Sequence, residues 1–136
     1  MDSTADVLVV DDDPDLVELV RTMLDISGYA ARCARNGLEA LEAVAQRQPA
    51  LILLDMLMPV MDGWQCAREL HLRYGGRVPI VVLTAAEHAR SRTADLGGVA
   101  EVLSKPFEMD ELLRVVARYV GKARSPAPPV PRPDYS

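Results

Sequence analysis

Aromatic residues are scarce in this chain. Trp64, Phe107 and four tyrosines make up 4% of its 136 residues, so any core is aliphatic, built from Val, Leu, Ile, Ala and Met. Cysteine is limited to Cys33 and Cys66. They lie far apart with no histidine at ligand spacing, which argues against a zinc site and against a disulfide framework. Both are expected as half-buried thiols in a reducing compartment. No apolar run approaches the roughly 20 residues a membrane span needs, and the polar, acidic start is not a secretory leader. A cytoplasmic protein without membrane contact is expected. Basic charge is also in short supply. Lys and Arg total 15 against 20 Asp and Glu, a formal charge of −5, which suits direct nucleic-acid binding poorly.

What is present looks like an ordinary folded globule, with 49% apolar and 26% charged residues. One domain is expected over residues 1–121, with its core at about 5–120. Residues 122–136 hold five of the ten prolines and read as a flexible Pro-rich tail or linker. Two P-x-x-P spacings there, from Pro126 and Pro128, would suit a polyproline-reading partner. A plain linker is the simpler reading.

Between residues 6 and 120, short aliphatic runs alternate with amphipathic stretches. The runs are 7–10, 29–33, 51–54, 80–83 and 100–103. The first, third and fourth are apolar without alternation, as in strands of a parallel sheet buried on both faces. Asp13-Pro14 reads as a cap and first residue of a helix carrying Leu16, Leu19, Val20, Met23 and Leu24, ended by Gly28. Asn36 caps a second helix with Leu38, Leu41 and Val44 inward. Asp62 caps a third with Trp64, Ala67 and Leu70 inward, stopped at Gly75-Gly76. A weakly patterned helix is expected over about 87–96, and a last one over about 108–120 with Leu112, Leu113, Val116 and Val120 on one side. The order is five βα units. It predicts an α/β fold, a doubly wound (βα)5 sandwich of the flavodoxin-like type around a five-stranded parallel sheet.

In such sheets ligands bind at the carboxyl ends of the strands. Those ends carry Asp11-Asp12-Asp13, Asp55, Thr84-Ala85 and Ser104-Lys105-Pro106. Asp13 reads as a helix cap. Asp55 follows four apolar residues and is expected to be buried, which calls for a reason. If Asp11, Asp12 and Asp55 converge, their repulsion requires compensation, and a hard cation such as Mg2+ with oxygen ligands supplies it. Lys105 adds a fixed positive charge, and Thr84 a hydroxyl donor. The Lys105–Pro106 bond is a candidate cis peptide. Together these groups describe an aspartate that accepts a phosphoryl group.

The stretches Val-Leu-Val-Val-Asp-Asp-Asp-Pro-Asp (7–15), Leu-Ile-Leu-Leu-Asp-Met-Leu-Met-Pro-Val-Met-Asp-Gly (51–63), Ile-Val-Val-Leu-Thr-Ala (80–85) and Leu-Ser-Lys-Pro-Phe (103–107) resemble the receiver domains of two-component response regulators. The resemblance covers about residues 5–120. It implies that Asp55 is the phosphoacceptor, filled by a histidine kinase or histidine phosphotransfer protein. It implies that Asp12 binds Mg2+ directly, Asp11 through water, and the backbone carbonyl of Leu57 as a third protein ligand. It implies that Thr84, the backbone of Ala85, and Lys105 contact the phosphoryl group, Thr84 and Lys105 being catalytic with Asp55. Asp62 is expected as a cap rather than a ligand. Such a domain is a phosphoaspartate-dependent switch whose only catalysis is its own phosphorylation and dephosphorylation. It works through a downstream effector protein, here expected as a stand-alone receiver.

This chain departs from the family pattern at Val102, where an aromatic switch residue is usual. The stretch between Thr84 and Lys105 is about one residue short. Apolar Leu57 and Ala86, at positions that tune access of the attacking water, point to a longer-lived phosphoryl group. One rival reading is a pseudo-receiver that binds a partner without phosphate, against which the intact Asp11, Asp12, Asp55, Thr84 and Lys105 count; the other is a phosphatase of the haloacid dehalogenase type, whose nucleophile motif Asp11-x-Asp13 imitates. Pro14-Asp15 in place of a small hydroxyl residue counts against it.

Overall fold

A computed structural model describes residues 6–56, 58, 60–85 and 99–121. Leu57, the expected helix over 87–96 and the Pro-rich segment lie outside the described residues.

Five strands are described: β1 (Asp6–Val10), β2 (Ala30–Ala34), β3 (Leu51–Asp55), β4 (Ile80–Ala85) and β5 (Val99–Lys105). They form one parallel sheet in the order β2-β1-β3-β4-β5. The three continuous apolar runs are the three central strands. Every residue of β1 and β3 is buried, because helices cover both faces of the sheet. The edge strands β2 and β5 are only partly covered.

Four helices are described: α1 (Pro14–Ile26), α2 (Gly37–Gln46), α3 (Gly63–Tyr74) and α4 (Met109–Val120). The expected caps are in place. The Asp13 carboxylate accepts from the amides of Asp15 and Leu16, Asn36 from Glu39 and Asp62 from Gln65. Each satisfies a donor that the first helical turn leaves without a partner. Asp62 is thus a cap, and α3 stops at Gly75.

Alternate residues of each central strand feed two cores. Leu8, Val10, Ile52, Leu54 and Val82 pack with Ala40, Leu41 and Val44 of α2 and with Cys66, Ala67 and Leu70 of α3. Val7, Val9, Leu51, Leu53 and Leu83 pack with Val20 and Leu24 of α1 and with Leu112, Val115 and Val116 of α4. This is the doubly wound arrangement expected from the sequence.

Three expectations need correction. Leu19 and Leu38 are 51% and 48% exposed, so the buried stripes are narrower than the apolar patterns that announced them. The small residues Gly37 and Ala40 take the inward positions on α2. The cysteines are not alike either. Cys33 is exposed on the edge strand and Cys66 is buried, where burial, with Asp62 nearby, pushes its thiol up to about 12.

At the amino end of the sheet Asp6 is buried and ion-paired. Its Oδ2 accepts from Arg32 Nε at 2.6 Å and from Arg47 at 3.1 Å. Arg32 also donates to the carbonyls of Ala43 and Arg47, tying β1, the edge strand β2 and the end of α2 together.

Val60 has a left-handed backbone, φ 70°, which is a true outlier for a β-branched residue. Its side chain is 75% exposed, so packing contributes little there. Val60→Gly is expected to raise stability by about 1 kcal/mol through relief of this strain. A higher urea midpoint at unchanged slope is the measurement; a lower one would contradict the strain argument.

Candidate functional site

The sheet register builds the site. β1 and β3 pair Val10 with Leu54, so the next residues, Asp11 and Asp55, emerge side by side. β4 pairs with β3 through Leu83 and Asp55, which sets Thr84 one residue beyond. β5 pairs with β4 through Thr84–Ser104 and Ala85–Lys105. Residues distant in sequence therefore meet at one edge because parallel strands end at a common level.

Asp11, Asp55 and Thr84 are buried and Asp12 is exposed. The Lys105 Nζ donates to Asp11 Oδ2 at 3.0 Å and to Asp55 Oδ1 at 3.2 Å. The second oxygen of Asp11 accepts from the Asp13 amide at 3.0 Å. Carboxylate oxygens of Asp11, Asp12 and Asp55 lie within 4.8 Å of one another. The bond from Lys105 to Pro106 is cis. Val102 is partly buried on β5 against the core that α2 and α3 cover. Of the other sequence-derived positions, Ala85 contributes its described backbone, while Leu57 and Ala86 lie outside the described residues.

The charges do not balance. Among the described residues, three carboxylates face one ammonium. Burial pushes the Asp55 carboxyl above its ordinary range, and Asp11 and Asp12 add repulsion that Lys105 only partly offsets. For Lys105, burial acts downward, but the hydrogen bond and charge of Asp11, with Asp55, outweigh it and hold the ammonium above its usual range. The cation is therefore charged at neutral pH. The residual negative charge and the all-oxygen donor set fit a hard divalent ion that keeps several waters, as Mg2+ does.

A carboxyl whose pKa rises on folding opposes folding once it ionises. The opposition is absent below the ordinary aspartate range and grows as pH rises from there to the raised folded value. Above that value it is complete. Asp55→Asn is accordingly expected to stabilise the metal-free protein by roughly 1 kcal/mol at pH 7, with the gain disappearing in acid. Urea unfolding in chelator across this pH range measures it; a gain that persists unchanged in acid would contradict the charge argument.

Sequence reasoning missed the close approach of two glycines to the connection after β3. The Gly63 amide donates to the Met56 carbonyl at 2.9 Å, and the Gly37 amide to the Met61 carbonyl at 3.0 Å. A glycine following a capping residue, as in Asn36-Gly37 and Asp62-Gly63, was the available signal.

A sequence model of the response regulator receiver domain matches residues 7–117. The chain belongs to that family. The receiver is 42% identical over 108 residues to the response regulator MprA of Mycobacterium ulcerans (strain Agy99), covering 79% of this chain and 46% of that protein. MprA of Mycobacterium leprae (strain TN) is 42% identical, covering 79% and 47%. This receiver thus spans about half the length of the curated relatives it matches.

Solved structures agree. The receiver domain of the sensor histidine kinase PA1611 from Pseudomonas aeruginosa PAO1, solved with a magnesium ion in its active-site cleft, superposes with a TM-score of 0.77. It is 30% identical, with 88% of this receiver and all of that chain covered. The response regulator TrrA of Thermotoga maritima, solved in complex with Mg2+-BeF, gives a TM-score of 0.77 at 33% identity, covering 85% and 99%. Receiver domains are phosphoacceptor switches that interact with histidine kinases and downstream effectors. Among the described residues no helix is long and apolar enough to cross a membrane.

Proposed function

We propose that this receiver accepts a phosphoryl group on Asp55 from a histidine kinase or histidine phosphotransfer protein and signals by changing the surface it offers to an effector protein. The observation that carries this reading is the single ammonium of Lys105 bridging Asp11 and Asp55, with the Asp12 carboxylate alongside. An Asp55 oxygen attacks phosphorus, the bond to the donor histidine breaks, and the imidazole leaves with its electron pair. Asp55 must be ionised to attack, and Lys105 helps hold it so.

Asp11 and Asp12, with Asp55 and the backbone carbonyl of Leu57, are the proposed Mg2+ ligands, as the magnesium-containing relatives support. Mg2+ supplies Lewis-acid neutralisation of charge on the transferring group. Thr84, the Ala85 backbone and Lys105 are the proposed contacts of the phosphoryl oxygens. Once formed, the modification adds negative charge beside Thr84 and Lys105 and shifts a balance between two conformations. At Val102 an aliphatic side chain occupies the position of the family's aromatic switch, so output is proposed to depend on the Thr84 movement without an aromatic swing.

Incubation with Mg2+ and a small acyl phosphate, read by intact mass, tests the chemistry. One phosphoryl adduct, labile in strong acid and in base and cleaved by hydroxylamine as an acyl phosphate is, is expected on the natural chain. None is expected on Asp55→Asn. An adduct that survives in Asp55→Asn but disappears in Asp11→Asn would move the nucleophile to Asp11 and overturn the reading.

A further inference from the structure

We propose that Gly37 and Met61 form a latch that fixes the β3–α3 connection, making both of them positioning residues for Asp55. The inference rests on the phosphoacceptor reading above. The connection leaves β3 at Asp55 and enters α3 at Gly63. Its near anchor is the Gly63 amide on the Met56 carbonyl, and its far anchor is the Gly37 amide on the Met61 carbonyl.

The far anchor comes from a different helix. An amide in the first turn of a helix has no partner inside that helix, so α2 lends a free donor to the connection. The approach is close in every direction that matters. A Cβ on Gly37 would lie 2.7 Å from Met61 Cγ and 2.8 Å from the Met61 carbonyl oxygen. The Cys66 thiol of α3 lies 3.8 Å from the Gly37 carbonyl oxygen, so Gly37 is held between the connection and α3.

Between the anchors sits Val60 with its left-handed backbone. A residue in such a conformation persists only where its surroundings over-determine it. The two anchors do this, and the strain between them favours opening when one is lost. Asp55 is at the start of the anchored stretch, so its carboxylate is placed by the latch as well as by β3. By linkage, whatever binds the correctly placed carboxylates tightens the latch, and whatever breaks the latch weakens that binding by the same factor.

The test uses the full chain with Mg2+ as the probe. Mg2+ affinity is read by NMR titration and the latch by hydrogen exchange of the Gly37 amide, while a thermal melt of each variant shows that it is folded at the working temperature. Gly37→Ala is expected to weaken Mg2+ binding about tenfold, the scale for disturbing groups that orient metal ligands. Met61→Ala keeps the anchoring carbonyl but removes the side chain that packs the connection against the α2 and α3 core, and is expected to weaken it about threefold. The double variant is expected to lose somewhat less than the product, because truncating Met61 removes its Cγ from the new methyl group while its carbonyl oxygen and Cβ stay against it. In the natural chain, saturating Mg2+ is expected to slow Gly37 amide exchange. Gly76→Ala, where an added Cβ meets nothing within 4 Å, is expected to change neither reading.

Folded Gly37→Ala and Met61→Ala that bind Mg2+ like the natural chain would overturn the latch, as would Gly37 exchange indifferent to Mg2+. If Gly37→Ala does not fold, Met61→Ala and the exchange measurement decide. A natural chain that binds Mg2+ but takes no phosphoryl group from an acyl phosphate overturns the phosphoacceptor reading alone, and the latch still stands or falls on the Mg2+ readouts. A natural chain that binds no Mg2+ overturns both.

Discussion

Lys105→Met is expected to lose phosphorylation by an acyl phosphate by a factor of about a hundred or more, the usual result of removing one well-placed donor to a developing charge. It is also expected to lower stability by about 2 kcal/mol in chelator at pH 7. Breaking a fully buried ion pair costs about 3–5 kcal/mol, but the ammonium keeps partial access to water, with 30% of its side-chain surface exposed, so screening reduces the loss.

The loss has a particular form. Without the ammonium, Asp55 keeps its burial and the repulsion of Asp11 and Asp12 and loses the charge and hydrogen bond that offset them. The deficit should therefore shrink as pH falls and Asp55 takes up a proton. It should also shrink at a fixed high Mg2+ concentration, because removing the competing ammonium tightens Mg2+ binding in the variant and linkage then stabilises it more than the natural chain. Lys105→Arg should recover part of the stability and little of the rate, because a planar fork cannot replace a compact ammonium between two oxygens. Urea unfolding with and without Mg2+, alongside intact-mass kinetics, gives all of these. A Lys105→Met protein with natural kinetics would remove the ammonium from the mechanism.

Gly63→Ala is expected to destabilise by about 2–4 kcal/mol and to slow phosphorylation with it. Gly63 is the first residue of α3, and on helix propensity alone alanine would be better by about 1 kcal/mol. Tertiary contact reverses the sign. A Cβ there would collide with the Asp55 carbonyl oxygen and come within 2.6 Å of both the Met56 Cα and its Sδ. The methionine sulfur can rotate away, but the two backbone atoms cannot move without shifting Asp55. Gly76→Ala meets no neighbour and is the matched comparison, with a change within about 0.5 kcal/mol. Equal melting temperatures for Gly63→Ala and Gly76→Ala would contradict the packing argument.

Both predictions concern residues whose importance the chain shows unequally. Lys105 was legible as a candidate because it ends an aliphatic run and precedes Pro106. Gly63 was legible only as part of a familiar motif, because nothing local says that a backbone carbonyl lies against its Hα. The same division runs through the fold. The caps at Asp13, Asn36 and Asp62 and the central position of the runs at 7–10, 51–54 and 80–83 followed from the sequence. A cap depends on the next three residues, and a strand covered on both faces needs apolar residues at every position. The exposures of Leu19 and Leu38 did not follow, since an apolar stripe says which side of a helix turns inward but not how far the sheet beneath it extends.

By itself, then, the sequence determined the order of elements, the doubly wound sheet and the four acidic, hydroxyl and basic strand ends where chemistry would lie. Those follow from periodicity and capping, which act within a few residues. Only the tertiary structure decided that Asp11 is buried and Asp12 exposed, and that one ammonium serves two carboxylates. It alone also decided that α2 and α3 reach the Asp55 connection through Gly37 and Gly63. The ammonium's two contacts join residues 94 and 50 positions apart, set by the crossovers of the sheet, and no short-range pattern carries them.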